Sequence, residues 1–223
     1  MSEDAGKPTR RERKRLETQQ KLINSALELL SELTYDEVTV EMITEGAGVA
    51  KGTFFSHFTN KEGVLIAYFD DQLALLQSAL HGDVLQEFAG SNSPAMQICS
   101  LLQLLAKRDS TSRQLARTVC ALTLTNEELH QASRRVQEEA IRVGLPLIRE
   151  AQKAGELSDQ VPADEMARLI AECYFMALRS WAEQDAPTHI ADHLCRIFGW
   201  LFHGIGGTKG FQPQFKLNET SEK

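Results

Sequence analysis

The stretch TVEMITEGAGVAKGTFFSHF, residues 39–58, constrains the fold more than any other part of this chain. Thr39 can begin a helix, because its hydroxyl oxygen accepts a backbone N–H that has no partner inside the first turn. Apolar residues then recur at helical spacing on one face, at Val40, Ile43 and Ala47. Gly48 supplies the left-handed backbone that ends such a helix. The stretch therefore predicts two short helices around a tight turn, the second running from about Ala50 to Phe58.

Two short helices joined in this way form a helix-turn-helix, whose second helix presents its N-terminal residues to base edges in the major groove of DNA. Lys51 and Thr53 lie near the start of that second helix. We therefore predict that these two side chains face base edges or phosphates. The same geometry also occurs in proteins that touch no nucleic acid. A helical enzyme or ligand carrier whose N-terminal helices only pack is therefore an alternative.

The longer stretch TVEMITEGAGVAKGTFFSHFTNKEGVL resembles the DNA-binding signature of TetR-type (TetR/AcrR) transcriptional regulators. The positions that match the family pattern are Thr39, Val40, Ile43, Ala47, Gly48, Val49, Gly52, Thr53, His57, Phe58, Lys61 and Glu62. The resemblance covers about residues 16–76. It implies an all-α chain, in which a three-helix DNA-binding domain is joined by a long helix to a C-terminal helical domain for ligand binding and dimerisation.

Three positions depart from the family pattern. Thr44 stands where the family usually has Ala, and Thr34 stands where it usually has Gly. Phe55 stands where the family commonly has a Tyr that contacts a phosphate, so one hydrogen bond is lost while the apolar surface is kept. The candidate DNA-binding residues are Arg10, Arg11, Arg13, Lys14, Arg15, Thr39, Ala50, Lys51, Gly52, Thr53, Phe55, His57 and Lys61.

The formal net charge of the whole chain is −7, so the chain as a whole is not basic. Its positive charge is concentrated in one segment. Basic residues cluster just before the helix-turn-helix, at Lys7, Arg10, Arg11, Arg13, Lys14, Arg15 and Lys21. Such a cluster attracts phosphates by releasing counterions. On its own it would be typical of a solvated tail. In this position it predicts a flexible arm, residues 1–15, that lies along the DNA backbone or in a minor groove. Lys61 starts the next helix, where a positive charge opposes the helix dipole, so we expect it to contact a phosphate.

The composition is that of an ordinary globular protein, with 42% hydrophobic and 25% charged residues in 223. No apolar run approaches the roughly 18 residues of a membrane-spanning helix, so no membrane partner is expected. The N-terminus is polar and basic without an apolar segment, which argues against a secretory signal. The four cysteines form no CxxC motif and indicate reduced thiols in a cytoplasmic protein. Redox sensing by these thiols is an alternative.

Helical patterns continue along the chain. The first helix is predicted from about Thr9 to Leu33, and a long helix from about Asn60 to Leu80 joins the DNA-binding part to the rest. Helices alone are predicted beyond it, with a kink near Gly144 and Pro146. The predicted domains are the arm (1–15), the DNA-binding domain (16–76), a ligand-binding and dimerisation domain (77–204) and an irregular tail (205–223).

The last two predicted helices carry large apolar residues on more than one face, and a helix that is apolar on two sides usually has two neighbours. Together with the resemblance, this favours a homodimer built as a four-helix bundle. The candidate interface residues are Ala177, Trp181, Leu194, Ile197, Phe198 and Leu201. The candidate walls of a pocket for a mostly apolar small molecule are Phe88, Met96, Cys99, Leu102, Cys120, Leu124, Tyr174 and Phe175. Each of these could equally be plain core.

The motifs of common enzyme classes are missing from the sequence: it contains no Walker A, GxSxG, HExxH or dinucleotide-binding pattern. His189 and His193 have metal-ligand spacing, but a third ligand is not evident, so neither a metal nor a cofactor is expected. The sequence therefore predicts a regulator, not an enzyme. We expect a repressor that a small-molecule effector releases from a palindromic double-stranded DNA operator. A constitutive or activating DNA binder without ligand control is the main alternative.

Overall fold

The computed structural model describes residues 9–80, 93–109, 112–184 and 189–205. Within these residues the chain forms nine α-helices, which confirms the predicted all-α fold. They are α1 (Arg10–Glu32), α2 (Val40–Gly46), α3 (Lys51–Phe55), α4 (Lys61–Leu80), α5 (Pro94–Asp109), α6 (Arg113–Thr125), α7 (Glu127–Lys153), α8 (Ala163–Glu183) and α9 (Ile190–Ile205). None of the described helices is both long and apolar enough to cross a membrane.

The chain divides into two compact units, residues 1–68 and 69–223. The division falls inside α4, so this helix contributes residues to both units. The predicted domains, 16–76 and 77–204, divide the chain a little later in the same helix.

Helix α1 begins at Arg10, because Thr9 and Glu12 form a capping box. The Thr9 hydroxyl accepts the Glu12 backbone N–H at 3.3 Å, and the Glu12 carboxylate accepts the Thr9 N–H at 2.7 Å. These two hydrogen bonds also lower the pKa of Glu12. Residues 10–15 of the predicted arm are therefore helical, in agreement with the predicted start of the first helix near Thr9. Residues 1–8, the rest of that predicted arm, lie outside the described residues.

The core of the first unit is formed by buried side chains of α1 to α4 and of the α1–α2 loop. The apolar stripe of α1 is buried as predicted at Leu22, Ile23, Ala26 and Leu30. It is joined by buried side chains from the other helices and the α1–α2 loop, at Val38, Ile43, Phe54, Phe58, Val64 and Leu65. This small core leaves the two short helices α2 and α3 packed on one side only.

In the second unit, α8 packs against α6, α7 and α9, and α7 also packs against α5 and α6. Its largest fully buried side chains include Tyr174, Phe198, Phe202, Ile98, Leu115 and Leu129. Asn126 caps α7 by accepting the Leu129 N–H at 3.0 Å. The helix runs on through Gly144 and Pro146, where a kink was predicted, and Gly155 follows its end with a φ of 70°.

Gly46, the last residue of α2, lies directly against Ser25 of α1. A Cβ added at Gly46 would lie 2.3 Å from Ser25 Oγ. That hydroxyl donates to the Ile43 carbonyl at 2.9 Å, so it cannot move without losing a buried hydrogen bond. We expect Gly46→Ala to lower the free energy of unfolding by roughly 1–2 kcal/mol, measured by urea denaturation.

Gly52→Ala is the matched control for this substitution, because a Cβ at Gly52 meets no atom within 4 Å. It should leave the stability unchanged or raise it. Combining Gly46→Ala with Ser25→Ala should cost less than the sum of the two single changes. A fully additive double variant would contradict the proposed clash between the two side chains.

Candidate nucleic-acid interface

The turn between α2 and α3 has the predicted geometry. The Thr39 hydroxyl caps α2 by accepting the Met42 N–H at 3.2 Å. Gly48 has a φ of 66°, in the left-handed region that favours glycine. The Val49 N–H then donates to the Thr44 carbonyl at 3.0 Å, which closes the turn. The two-helix arrangement predicted for residues 39–58 is therefore confirmed.

Helix α3 is shorter than the predicted Ala50–Phe58. Ala50 stands just before the helix, and the helical segment ends at Phe55. The Ser56 hydroxyl donates to the Thr53 carbonyl at 2.6 Å, and the His57 N–H donates to the Phe54 carbonyl at 2.9 Å. These bonds tighten the chain after Phe55 into a turn, which explains the early end.

Two buried phenylalanines anchor α3 to the core, and the rest of the helix faces outward. Phe54 is fully buried and Phe58 nearly so, and their ring centroids lie 5.6 Å apart. Lys51 and Gly52 are exposed, and Phe55 keeps 53% of its surface exposed. The covered part of the Phe55 ring packs edge-on against Phe54, with the ring centroids 5.4 Å apart. The outward face of α3 is thus available to another molecule.

Lys51 forms an ion pair across the turn. Its ammonium group is hydrogen-bonded to the carboxylate of Glu41, in the first turn of α2. Both side chains are more than half exposed, and this hydrogen bond is the main cause of the lowered pKa of Glu41. Sequence reasoning missed Glu41, because rules for neighbouring charges on one helix do not reach across a turn.

Lys61 is held inside the first unit. Its ammonium group donates to the carbonyls of Tyr35 and Val38, at 2.8 and 2.9 Å, and lies 4.2 Å from the centre of the Tyr35 ring. Two of its three N–H donors are thus used by the α1–α2 loop. The phosphate contact of Lys61 stays a prediction, and it competes with loop carbonyls that are brought together only by folding.

The Tyr35 hydroxyl beneath Lys61 is buried, and no described group meets it with hydrogen-bond geometry. Burial, with a smaller contribution from the nearby Glu62 carboxylate, raises the pKa of Tyr35. The phenol therefore stays neutral, and its ring serves as an apolar and cation-binding surface for Lys61.

The candidate basic residues of α1 lie in its exposed first turns: Arg10, Arg11, Arg13, Lys14 and Arg15. Partial burial and the nearby charge of Arg15 lower the pKa of His57, which follows α3. The Nδ1 atom of His57 is buried and has no partner among the described residues.

The candidate pocket residues of the second unit differ in how deeply they are buried. Cys99, Leu102 and Tyr174 are buried, whereas Met96, Cys120 and Phe175 are half-buried. Leu124 is 65% exposed near the end of α6, unlike the other described members of the set. Phe88 lies outside the described residues. Burial raises the pKa of the Cys99 thiol to about 12, so this thiol is not a reactive thiolate at neutral pH.

Most of the candidate interface residues are already buried inside one chain. Ala177, Trp181, Leu194 and Phe198 are each at least 95% buried within one chain, so they leave little surface for a partner chain. Ile197 and Leu201 are half-buried. Among the residues whose burial is described, the large apolar side chains that α8 and α9 expose are Leu169 (38%), Met176 (69%) and Trp200 (70%). The periodic pattern had indicated two apolar faces and could not tell which one the chain covers itself.

His193, half of the sequence's candidate metal pair, is buried in the second unit. Its Nδ1 accepts a hydrogen bond from Arg196 at 3.0 Å, and its Nε2 has no partner among the described residues. Burial, followed by the charges of Arg196 and Arg113, lowers its pKa. Over the described part of the chain, no three His, Cys, Asp or Glu side chains are grouped as a metal site.

Comparison with known proteins identifies the two-helix unit. Residues 22–68 match the family model described as bacterial regulatory proteins of the tetR family. This chain belongs to the TetR family. As a TetR-family protein it is a DNA-binding transcriptional regulator and not an enzyme.

Relatives of this TetR-family regulator extend the similarity over the second unit. The "Fatty acid metabolism regulator protein" of Bacillus subtilis (strain 168) is 24% identical over 184 residues, which cover 82% of this chain and 93% of the relative. The crystal structure of Bacillus subtilis FadR in complex with stearoyl-CoA has a TM-score of 0.67 at 20% identity, covering 83% of this chain and 98% of that chain. Thermus thermophilus FadR in complex with lauroyl-CoA has a TM-score of 0.57 at 20% identity, covering 92% and 100%. At these identities the structural likeness establishes the fold.

Proposed function

We propose that this regulator is a homodimeric repressor, which binds a palindromic operator through α3 and is released by a long-chain fatty acyl-CoA. The observation that carries the proposal is the extent of the similarity to the Bacillus subtilis fatty acid metabolism regulator. It spans 93% of that protein and thus includes the helices beyond the DNA-binding domain. A relationship through the helix-turn-helix alone would carry no expectation about an effector.

The DNA-binding half of the proposal rests on the outward face of α3. Lys51 and Thr53 would approach base edges, while Ala50 and Gly52 let the backbone come close to the duplex. The exposed ring of Phe55 offers an apolar contact to a thymine methyl group or a sugar. The Thr39 end of α2, where the helix dipole is positive, suits a phosphate.

The cationic start of α1 is proposed to lie along the DNA backbone. Five exposed basic side chains occur within residues 10–15, and His57 lies close enough to Arg15 for its pKa to respond. Phosphate contacts of this kind release counterions, so each one lost should reduce the salt dependence of DNA binding by about one unit of slope. Because these residues are helical, the spacing of their charges along α1 is fixed.

The dimer is proposed to form through the outer faces of α8 and α9. Met176 and Trp200 are exposed large apolar residues, and Leu169 continues the set along α8. Apolar surface left exposed on a single chain commonly marks an interface. In a dimer with twofold symmetry the same face of each chain meets its copy, which gives two α3 helices for one palindrome.

We expect Trp200→Glu to convert the dimer to a monomer, because a charge would replace a large aromatic side chain at the centre of the proposed interface. Sedimentation velocity measures the change directly. Leu124→Glu is the matched control, since Leu124 is similarly exposed on a different helix. If Leu124→Glu dissociates the protein and Trp200→Glu does not, the interface lies elsewhere.

A fatty acyl-CoA has the chemistry that the second unit could accept. Its acyl chain would replace contacts within an apolar interior, and each buried CH₂ group contributes about 0.8 kcal/mol. Its phosphates require cationic donors such as arginine. Arg113 of α6 donates to the Gln184 carbonyl just after α8, and Arg117 of α6 donates to the Ala182 carbonyl near the end of α8. Arg196 of α9 donates to His193.

The proposed route from effector to DNA runs through α4, which belongs to both units. Two polar contacts tie its second half to α7. Asp70 is paired with Arg135 at 3.5 Å, and the side chain of Gln77 is close enough to the nearly buried Glu139 carboxylate to contribute, after Arg142, to its lowered pKa. A ligand that repositions α7 would act on α4 through these contacts. To move a DNA-competent population from 99:1 to 1:99 it must favour one conformer by roughly 5.5 kcal/mol.

Fluorescence anisotropy with the DNA upstream of the protein's own coding sequence tests this function. Stearoyl-CoA and lauroyl-CoA should release the labelled DNA, while coenzyme A and stearate at the same concentrations should not. A melting curve of the protein with each ligand shows whether the release of DNA results from denaturation of the protein. If the protein binds the DNA and neither acyl-CoA releases it, the proposed effector is wrong. A constitutive or activating DNA binder would then be favoured.

A further inference from the structure

The ion pair between Glu41 and Lys51 stands at the point where α3 would meet DNA. Glu41 belongs to the first turn of α2, and Lys51 is the first residue of α3. Their head groups are hydrogen-bonded to each other, and both side chains remain more than half exposed. A carboxylate at this place is unexpected on a surface that attracts phosphates, since it would repel them.

The backbone around this pair is well defined, so the two head groups stay near each other. The turn is closed by the hydrogen bond from the Val49 N–H to the Thr44 carbonyl, and Gly48 holds its left-handed conformation. Phe54 anchors α3 to the core from the opposite side. Wherever Lys51 is placed on DNA, the Glu41 carboxylate is therefore placed beside it.

We propose that Glu41 and Lys51 act together as the reader of one G·C base pair in each half-site, with Glu41 as a specificity-determining residue. This inference rests on the proposed binding of DNA through α3. In the major groove a G·C pair presents a row of two acceptors and one donor: guanine N7, guanine O6 and the cytosine N4 amino group. The Lys51 ammonium group can donate to N7 and O6, while the Glu41 carboxylate accepts from N4.

The spacing of the two head groups suits this row. Guanine O6 and cytosine N4 are hydrogen-bonded to each other within one base pair, and so are the ammonium and carboxylate groups. A donor–acceptor pair thus meets an acceptor–donor pair of similar spacing. The order of the row also fixes the orientation of the base pair, because C·G presents it in reverse.

The carboxylate adds selectivity by penalising the wrong sites. Against phosphates, or against a base pair that does not place an amino group opposite it, Glu41 loses water and gains no partner. Lysine alone would tolerate many positions along the backbone, since it acts as a point charge. The pair therefore weakens binding to most DNA and spares the site with the matching base pair.

The experiment begins with selection of the preferred site from a randomised duplex library by the full-length protein. Anisotropy then measures Kd for the selected duplex and for every symmetric single-base change. The wild-type protein should lose about tenfold or more at one G·C position per half-site. Glu41→Gln should reduce that loss to under about threefold and tighten binding to the changed sites.

Glu45→Gln is the matched control, because Glu45 is an exposed carboxylate one turn later on the same helix. It should keep the wild-type pattern of base preferences. Glu41→Ala provides a second variant, and circular dichroism melting curves confirm that each protein is folded. Since the Glu41 side chain is exposed and is not part of the core, both variants should fold normally.

The outcomes separate this inference from the proposed function. If the library yields no preferred site for the wild-type protein, the proposed function fails and the inference fails with it. If a site emerges and Glu41→Gln keeps every base preference, or tightens all sequences equally, the inference alone is overturned. Loss of preference at one G·C position in both Glu41 variants supports it.

Discussion

Lys51→Ala should lower the affinity for the selected operator about a hundredfold or more, while leaving the stability of the protein unchanged. A good bidentate contact to a base is worth roughly 1–3 kcal/mol, and a twofold-symmetric dimer loses one such contact in each half-site. The side chain of Lys51 is 56% exposed, so its removal opens no cavity. Anisotropy titrations at several salt concentrations measure the loss.

Lys153→Ala is the control for Lys51→Ala, because Lys153 is an exposed lysine of the second unit and is not a candidate contact. Its effect on the affinity for the operator should stay below about threefold. The base specificity at one position should also relax in Lys51→Ala. Unchanged affinity and unchanged specificity would show that α3 is not the reading helix.

Lys61→Met should give the opposite result, a loss of stability with little direct effect on DNA binding. The ammonium group of Lys61 donates two hydrogen bonds to carbonyls of the α1–α2 loop, and a methionine would leave both acceptors without it. Hydrogen bonds to charged groups contribute roughly 1.5–3 kcal/mol each, and part of this is recovered from water. We expect the free energy of unfolding of the first unit to fall by roughly 2–3 kcal/mol in urea denaturation.

The same substitution at the other lysine is the control. Lys51→Met should not alter the urea midpoint, since the Lys51 ammonium group is bound only to the exposed Glu41 carboxylate among the described residues. At temperatures where Lys61→Met remains folded, its salt dependence of DNA binding should match that of the wild-type protein. A reduced salt slope with unchanged stability would return Lys61 to the set of phosphate contacts.

Local signals in the sequence were sufficient for the helix-turn-helix. The Thr39 cap and the left-handed Gly48 depend on backbone groups a few residues away, so their effect can be read along the chain. The helical start of α1 was also readable, because Thr9 and Glu12 have the spacing of a capping box. The predicted start near Thr9 agrees with this cap, although the positive charge of residues 10–15 was also assigned to a flexible arm.

Contacts between distant segments could not be predicted in the same way. Lys61 binds carbonyls 23 and 26 residues earlier in the chain, and Glu41 meets Lys51 only after the turn has formed. In α8 and α9 the pattern revealed two apolar faces, but Trp181 and Phe198 are covered by the chain itself while Trp200 is exposed. Which face is covered depends on neighbouring helices, and hydrophobic periodicity does not specify these.

Hydroxyl-radical footprinting of the selected operator tests the central claim most directly, namely that two α3 helices of one dimer read a palindrome. The wild-type protein should protect two patches on one face of the duplex, related by a twofold axis and centred about one helical turn, or a multiple of it, apart. Lys51→Ala should abolish both patches at the same protein concentration. A single protected patch, or two patches that persist in Lys51→Ala, would contradict the account.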